Sequence, residues 1–309
     1  MNFRTIPGTK IRISEVGLDI RGSLPPTPRS SGSPPAILQR ASQAGVSLLA
    51  VGVQEVLATP LFSERPPPRA PTRSMSVLLR WSLEEERGGP RALLESDKDA
   101  LGAAARRCRE YVGRKGHVLA VLDWAGRDSQ PDESAIGELR DETRDQGCDA
   151  WGVRYARPLR SAADWEPVLS SGGNLVEIPY NLLHRQSGEV LASAIEMPRL
   201  GFIAGDVFAG GLLDGTDLGL SREASVRSGR PQDLAELNAR YAPVLRLGFL
   251  TENGRRTLPQ AALRFALSPS WVSAALVPFP VGPPLEHVAR LESTPEISEA
   301  ELRELSRIS

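Results

Sequence analysis

The chain has 309 residues, 40% of them hydrophobic and 24% charged, with a formal net charge of −1. That length is long for an average domain but ordinary for one α/β barrel, and the apolar share can fill a sizeable core. A charge so close to zero gives no whole-molecule field to attract nucleic acid or an anionic membrane, and no apolar run is long enough to cross a bilayer.

The opening MNFRTIPGTKIRIS carries no apolar core of a secretory signal, so a cytoplasmic location is expected. The two cysteines, Cys108 and Cys148, read as reduced, partly buried thiols, although spacing alone leaves a disulfide open. The 26 prolines, with abundant Arg and Ala, suit a GC-rich bacterial source.

In chain order, residues 3–13 alternate around Pro7-Gly8 and predict a two-stranded hairpin. Ser14 to Ile20 predicts a first barrel strand. Ser33-Pro34-Pro35 and Gly45 bracket a helix that carries Ile37, Leu38 and Ala41. Val46 to Val51 predicts the second strand. Residues 56–74 hold Pro60, Pro66, Pro67, Pro68 and Pro71, so an extended Pro-rich loop is expected in place of a regular second helix. Its Arg65, Arg69 and Arg73 read as a solvated strip, with protein docking as the alternative.

The third strand is expected over Ser76 to Trp81, followed by a helix with a capping box at Ser96 and Asp99. That helix buries Leu101, Ala104, Ala105, Cys108, Tyr111 and Val112. Val118 to Asp123 predicts strand four, residues 132–146 a helix stopped by Gly147, and Asp149 to Arg154 strand five. Leu175 to Ile178 and Gly201 to Ala204 are short apolar runs with the length of buried strands, separated by a helical stretch at Leu191 to Ile195. Phe208 to Leu213 follows as a Gly-containing loop, completing a parallel βαβ unit. A seventh helix over 231–250 is expected to break at Pro243. Thr257 with Gln260 forms a capping box, Val272 to Val277 is strand eight, and terminal helices follow.

The strings YNLLHR at 180–185 and GFIAGDVFAGGLL at 201–213 resemble the aldo-keto reductases, whose YNLL-x-R and GVIAYSPLAGGLL-like runs carry strands six and seven of a barrel. RTLPQAALRFALS at 256–268 is similar to that family's RTLAQAALRWLLS, and SEVGLDI at 14–20 to its first strand. The resemblance implies an α/β fold, a (β/α)8 TIM barrel spanning 1–309 as one domain. The early hairpin would close the barrel bottom, the second helix would be degenerate, and the 208–213 loop would lie along the pyrophosphate of NADPH.

The family's catalytic tetrad, carried over position by position, is not kept. Ala50 stands where its Asp is expected, Glu55 where its Tyr proton donor is expected, Arg80 at its Lys, and Asp123-Trp124 at its His-Trp. Arg80 cannot relay a proton near neutrality, and Asp123 would set a negative charge where an alkoxide develops. At the implied cofactor positions the chain has Arg154, Tyr155 and Glu177 for the carboxamide-binding Ser, Asn and Gln. Gly205 replaces the stacking aromatic and Asp206 the neighbouring Ser. Pro278 to Pro284 replaces the adenosine-phosphate run without a cation, and Asp206, Asp214 and Asp217 surround the vestigial Ala209-Gly210-Gly211 loop. His117, His184 and His287 read as structural or surface residues. No metal-ligand spacing appears.

These substitutions predict a redox-inactive barrel without a cofactor, whose C-terminal mouth binds a small molecule. Asp19, Glu55, Asp123, Glu177 and Asp206 are expected at that mouth, among Arg80, Arg154, Tyr155, Tyr180 and Trp124. Carboxylates mixed with arginines suit a lyase, isomerase, cyclase or dehydratase in a biosynthetic pathway, with Asp123 the preferred base and Arg80 or Arg154 the anion clamp. One alternative is a non-catalytic binding or regulatory subunit, in which the Pro-rich loop reaches a protein partner. The other is an atypical NADPH-dependent carbonyl reductase.

Overall fold

A computed structural model describes residues 1–20, 34–59, 62, 75–82, 95–124, 133–194, 199–215, 231–252, 254–279 and 290–308. The hairpin forms first in the chain: β1 (Phe3–Thr5) pairs antiparallel with β2 (Arg12–Ser14), Phe3 opposite Ser14. Gly8 turns it with φ at +75°, a left-handed conformation that glycine adopts without Cβ strain.

Eight parallel strands then close a barrel. They are β3 (Val16–Ile20), β4 (Leu48–Gly52), β5 (Ser76–Ser82), β6 (His117–Asp123), β7 (Ala150–Arg154), β8 (Leu175–Pro179), β9 (Gly201–Gly205) and β10 (Val272–Phe279). They follow chain order around the ring, and β10 pairs back onto β3. The described helices around it are α1 (Pro34–Gln43), α2 (Val53–Ala58), α3 (Glu95–Val112), α4 (Glu133–Asp145), α5 (Glu166–Ser170), α6 (Gln186–Ala192), α7 (Pro231–Leu245), α8 (Leu258–Leu267) and α9 (Glu299–Arg307). This is a (β/α)8 TIM barrel.

Period-two alternation sorts the strand residues into two apolar layers. Leu48, Ala50, Leu78, Leu119, Val121, Ala150, Leu175, Ile203, Ala274 and Leu276 form the barrel interior. Ile6, Ile11 and Ile13 of the hairpin join that interior cluster and plug the bottom. Each Leu, Ile or Val among them, taken fully out of water, contributes roughly 1.5–3 kcal/mol. The alternate residues, including Val51, Leu79, Trp81, Leu122 and Val153, pack outward against the helices with Leu101, Ala104 and Cys108 of α3. Cys108 and Cys148 are free thiols, and burial pushes each up to about 12.

Several local expectations need correction. A six-residue helix follows β4, ahead of the prolines. Gly52 is its N-cap, Val53 and Val56 bury, and it stops at Thr59, whose extended backbone (φ −101°, ψ 141°) suits the residue before a proline. Residues 56–58 therefore belong to α2, while 60–61 and 63–74 lie outside the described residues. Pro243 does not break α7, which continues through it to Leu245, and a separate 3₁₀ turn covers Gly248–Leu250. Ser96 is not a cap: α3 already begins at Glu95, and its first-turn acids Glu95 and Asp97 face the positive end of the helix dipole. The capping box of Thr257 and Gln260 on α8 is present.

Candidate functional site at the barrel mouth

The inward parity that makes the core also builds the mouth. One step beyond the apolar interior, the inward positions at the C-terminal strand ends are Asp19, Gly52, Arg80, Asp123, Arg154, Glu177 and Gly205. The register sets Gly52 beside Arg80, Asp123 beside Arg154, and Arg154 beside Glu177. Most of these side chains join in one ionic lattice. Arg80 donates from Nε (3.0 Å) and Nη2 (2.7 Å) to the two oxygens of Glu177, and from Nη1 to Asp19 Oδ1. Arg154 donates from Nε to Glu177 Oε1 at 3.1 Å and from Nη1 to Asp123 Oδ1 at 2.6 Å. Ser82 donates to the other Asp123 oxygen at 3.1 Å.

The lattice is graded by depth. Asp19 and Glu177 are 2% and 1% exposed, whereas the Asp123 and Arg154 side chains are 13% and 18% exposed. Burial alone would lower the Arg80 guanidinium's proton affinity, but Glu177 and Asp19 more than offset it and hold it well above its ordinary value. Arg154 is likewise raised against its burial, by Glu177 and Asp123. Both are permanent cations, and neither relays a proton.

Glu55 reaches the same layer from a helix. The direction in which a Gly52 side chain would point is inward, since Gly52 shares register with inward-facing Arg80. An ideal Cβ there would lie 1.9 Å from Glu55 Oε2, so the Glu55 carboxylate occupies that inward space. Glycine at 52 is what admits it. Among the described residues, no hydrogen bond or ion pair engages this carboxylate, in contrast to Asp19, Asp123 and Glu177.

Three predicted mouth residues are not there. Tyr155, Trp124 and Tyr180 each follow an inward position by one residue and so point outward into the barrel–helix layer. The Tyr155 hydroxyl donates to Asp164 O at 2.6 Å, and Asp164 in turn holds Arg157 at 2.7 Å. Tyr180 stacks on Phe265 with ring centroids 5.1 Å apart. Trp81 and Phe279 are also in the outward layer and do not fill the mouth.

Asp206 lies just past β9 in a left-handed turn (φ 51°). Its carboxylate accepts Gly210 N–H at 2.9 Å. The amides of Ala209, Gly211, Leu212 and Leu213 are taken by carbonyls at Asp206, Phe208 and Ala209. The sequence reading missed the side chain that holds this turn. Buried Asn181 donates to Asp206 O at 2.8 Å while its own oxygen accepts Leu183 and His184 amides. An Asn two residues past the end of β8 was the available signal. Asp214 is described, partly buried; Asp217, His287 and residues 280–284 lie outside the described residues. Among the described residues no group of three or more His, Cys, Asp or Glu side chains is placed to hold a metal ion.

Two solved structures show the same architecture. A glycerol dehydrogenase from Gluconobacter oxydans superposes with a TM-score of 0.64 at 16% identity, covering 99% of this chain and 94% of that one. An aldo-keto reductase from Bacillus halodurans, in its holo form, gives 0.61 at 14% identity over 100% and 96%. The fold is that of the aldo-keto reductases. No protein-family model and no curated protein matches the chain.

At the positions that the resemblance implies for a nicotinamide cofactor, the side chains are engaged with one another. Glu177 and Arg154, at the implied carboxamide positions, are bonded to each other and to Arg80 and Asp123. At the implied pyrophosphate loop, the Asp206 carboxylate accepts the Gly210 amide.

Proposed function

We propose that the barrel mouth carries out cofactor-independent acid/base chemistry on a small molecule, of the lyase, isomerase, cyclase or dehydratase kind. One observation supports this reading above the rest: Glu55 presents a carboxylate at the mouth that no described side chain has neutralised. Glu55 is the proton-transferring group, in place of Asp123, which is committed to Arg154 and Ser82. Arg80 is buried with all three guanidinium nitrogens engaged, so it anchors the lattice and does not clamp a ligand. Arg154 bonds through Nε and Nη1, which leaves Nη2 to donate to an oxyanion developing on the substrate. β4 and β7 stand three strands apart around the ring, so the substrate lies between base and donor across the mouth. Glu55 removes a proton next to a carbonyl-type oxygen, Arg154 steadies the charge, and the proton returns or a leaving group departs.

The test is solvent deuterium exchange. The protein is incubated in buffered D₂O with a panel of polar metabolites, without cofactor, and deuterium uptake or conversion is read by NMR for wild type and Glu55→Gln. Uptake that is lost in Glu55→Gln supports the proposal. Inertness of the wild type toward the whole panel favours the non-catalytic binding reading. A second reading, an atypical NADPH-dependent carbonyl reductase, is favoured by the structural likeness to a glycerol dehydrogenase and a holo aldo-keto reductase. Micromolar NADPH affinity with hydride transfer to an aldehyde would establish it and overturn the first.

A further inference from the structure

Glu55 rides on α2, a helix of six residues. So short a helix does not hold itself, because its few internal hydrogen bonds cannot offset the cost of nucleation. Its last carbonyls also have no partner within the helix. The structure supplies partners from the neighbouring helix. Arg107, on α3, donates from Nη1 to Leu57 O at 2.9 Å and to Val56 O at 3.3 Å. A cation at a helix C-terminus also complements the helix dipole. One turn further along α3, Tyr111 meets Phe62 edge-on with ring centroids 5.1 Å apart, pinning the chain where it leaves α2. Residues 107 and 111 share one face of α3. From below, Val53 and Val56 are buried against the barrel.

We infer that Arg107 is the positioning residue of the mouth: it acts from the outer helix layer, through α2, to keep the Glu55 carboxylate at the inward end of β4. The catalytic half of this inference rests on the reading of Glu55 as the proton-transferring group; the mechanical half does not. Arg109 is the internal control. It lies two residues along the same helix but donates to Gly116 O, Gly147 O and Asp149, away from α2.

The experiment is native-state hydrogen exchange by mass spectrometry on the full chain, for wild type, Arg107→Ala, Arg107→Lys and Arg109→Ala. Alongside it runs the D₂O conversion assay. In Arg107→Ala, exchange over 53–59 should rise about tenfold or more while the β4 amides stay protected. Arg107→Lys, whose ammonium still reaches a carbonyl, should recover part of that protection, and Arg109→Ala should leave 53–59 unchanged. Turnover in Arg107→Ala should fall about tenfold or more in kcat with KM little changed, since the group that moves is the base and not the binding wall. Exchange over 53–59 within twofold of wild type in Arg107→Ala, or an equal opening in Arg109→Ala, overturns the inference. If Arg107→Ala opens α2 but Glu55→Gln still turns over, it is the catalytic reading that has failed and the mechanical one that stands.

Discussion

Glu177 is the centre of the mouth lattice, and its replacement by Gln is the sharpest test of whether that lattice holds in solution. Glu177 is 1% exposed and accepts three charged hydrogen bonds, two from Arg80 and one from Arg154. Gln has nearly the same shape but keeps a single acceptor oxygen. Its amide then points donor hydrogens at a guanidinium that also only donates. Arg80 keeps Asp19, and Arg154 keeps Asp123, so the loss is partial and not a bare buried cation. Removing one member of a buried ion pair costs about 3–5 kcal/mol, and for a chain of this size the melting temperature should fall by roughly 5–8 °C. The assay is urea unfolding followed by tryptophan fluorescence and by circular dichroism, with coincident curves as the check on two-state behaviour. A companion variant changes Asp19, Arg80 and Glu177 together to Leu, Met and Met. That removes both signs of charge from the inner lattice and should land within about 2 kcal/mol of wild type. A Glu177→Gln protein within about 1 kcal/mol of wild type would refute the reasoning, because losing the charge and one acceptor oxygen from a buried pair costs more than that.

Other expectations follow from single contacts. Gly52→Ala has a compatible backbone (φ −73°, ψ 152°), so stability should change by less than about 1 kcal/mol, yet the new methyl must push Glu55 Oε2 aside by more than an ångström. Turnover in D₂O should therefore drop about a hundredfold with the fold intact, and an unchanged rate would place Glu55 outside the chemistry. Ser76 is fully buried and its hydroxyl makes no hydrogen bond, so Ser76→Ala should raise stability by about 1 kcal/mol in urea melts; a loss of that size would reveal a partner for the hydroxyl. Asp164 is pushed up by burial but pulled further down by Arg157 and by the Arg160 and Ser161 amides. A depressed carboxylate adds stability above its unfolded pKa that is lost as pH falls through the folded value. Asp164→Asn should thus cost about 1–3 kcal/mol at pH 7, with the gap to wild type closing below about pH 4. A gap independent of pH would contradict it.

Much of the barrel was legible because its physics is local. Buried strands show as short apolar runs, and turns as Gly and Pro at fixed offsets. The capping box at Thr257 and Gln260 is a backbone contact written within four residues. Boundaries were less legible where tertiary packing decided them. Val53 and Val56 bury against the barrel and draw residues 53–58 into a helix, although the prolines downstream argued for a loop. At the mouth, parity was the unused signal. Asp19, Arg80, Asp123, Arg154 and Glu177 all sit at inward positions, while Tyr155, Trp124 and Tyr180 are each one residue out of phase. Counting in twos from the apolar interior would have excluded those three. Arg107 was not legible at all. Its role depends on α3 lying beside the end of α2, and nothing in the residues around 107 encodes that neighbour.

The choice between Asp123 and Glu55 turns on what each carboxylate must give up to take a proton. Both stand at the mouth, and residue type cannot separate them. Asp123 accepts from Arg154 at 2.6 Å and from Ser82 at 3.1 Å. Taking a proton there gives up a contact to a charged donor that holds the wall of the mouth together. It also frees Arg154 Nη1 to pull elsewhere, which disturbs the donor on which an oxyanion would rely. Glu55 carries no such debt to a described side chain. Its cost lies in the scaffold: a glycine at 52 to make room, and a six-residue helix braced from outside to hold it there. On the proposed reading, a lattice that neutralises its own charges while leaving one carboxylate uncommitted would divide the labour, the paired groups forming a wall and Glu55 moving the proton.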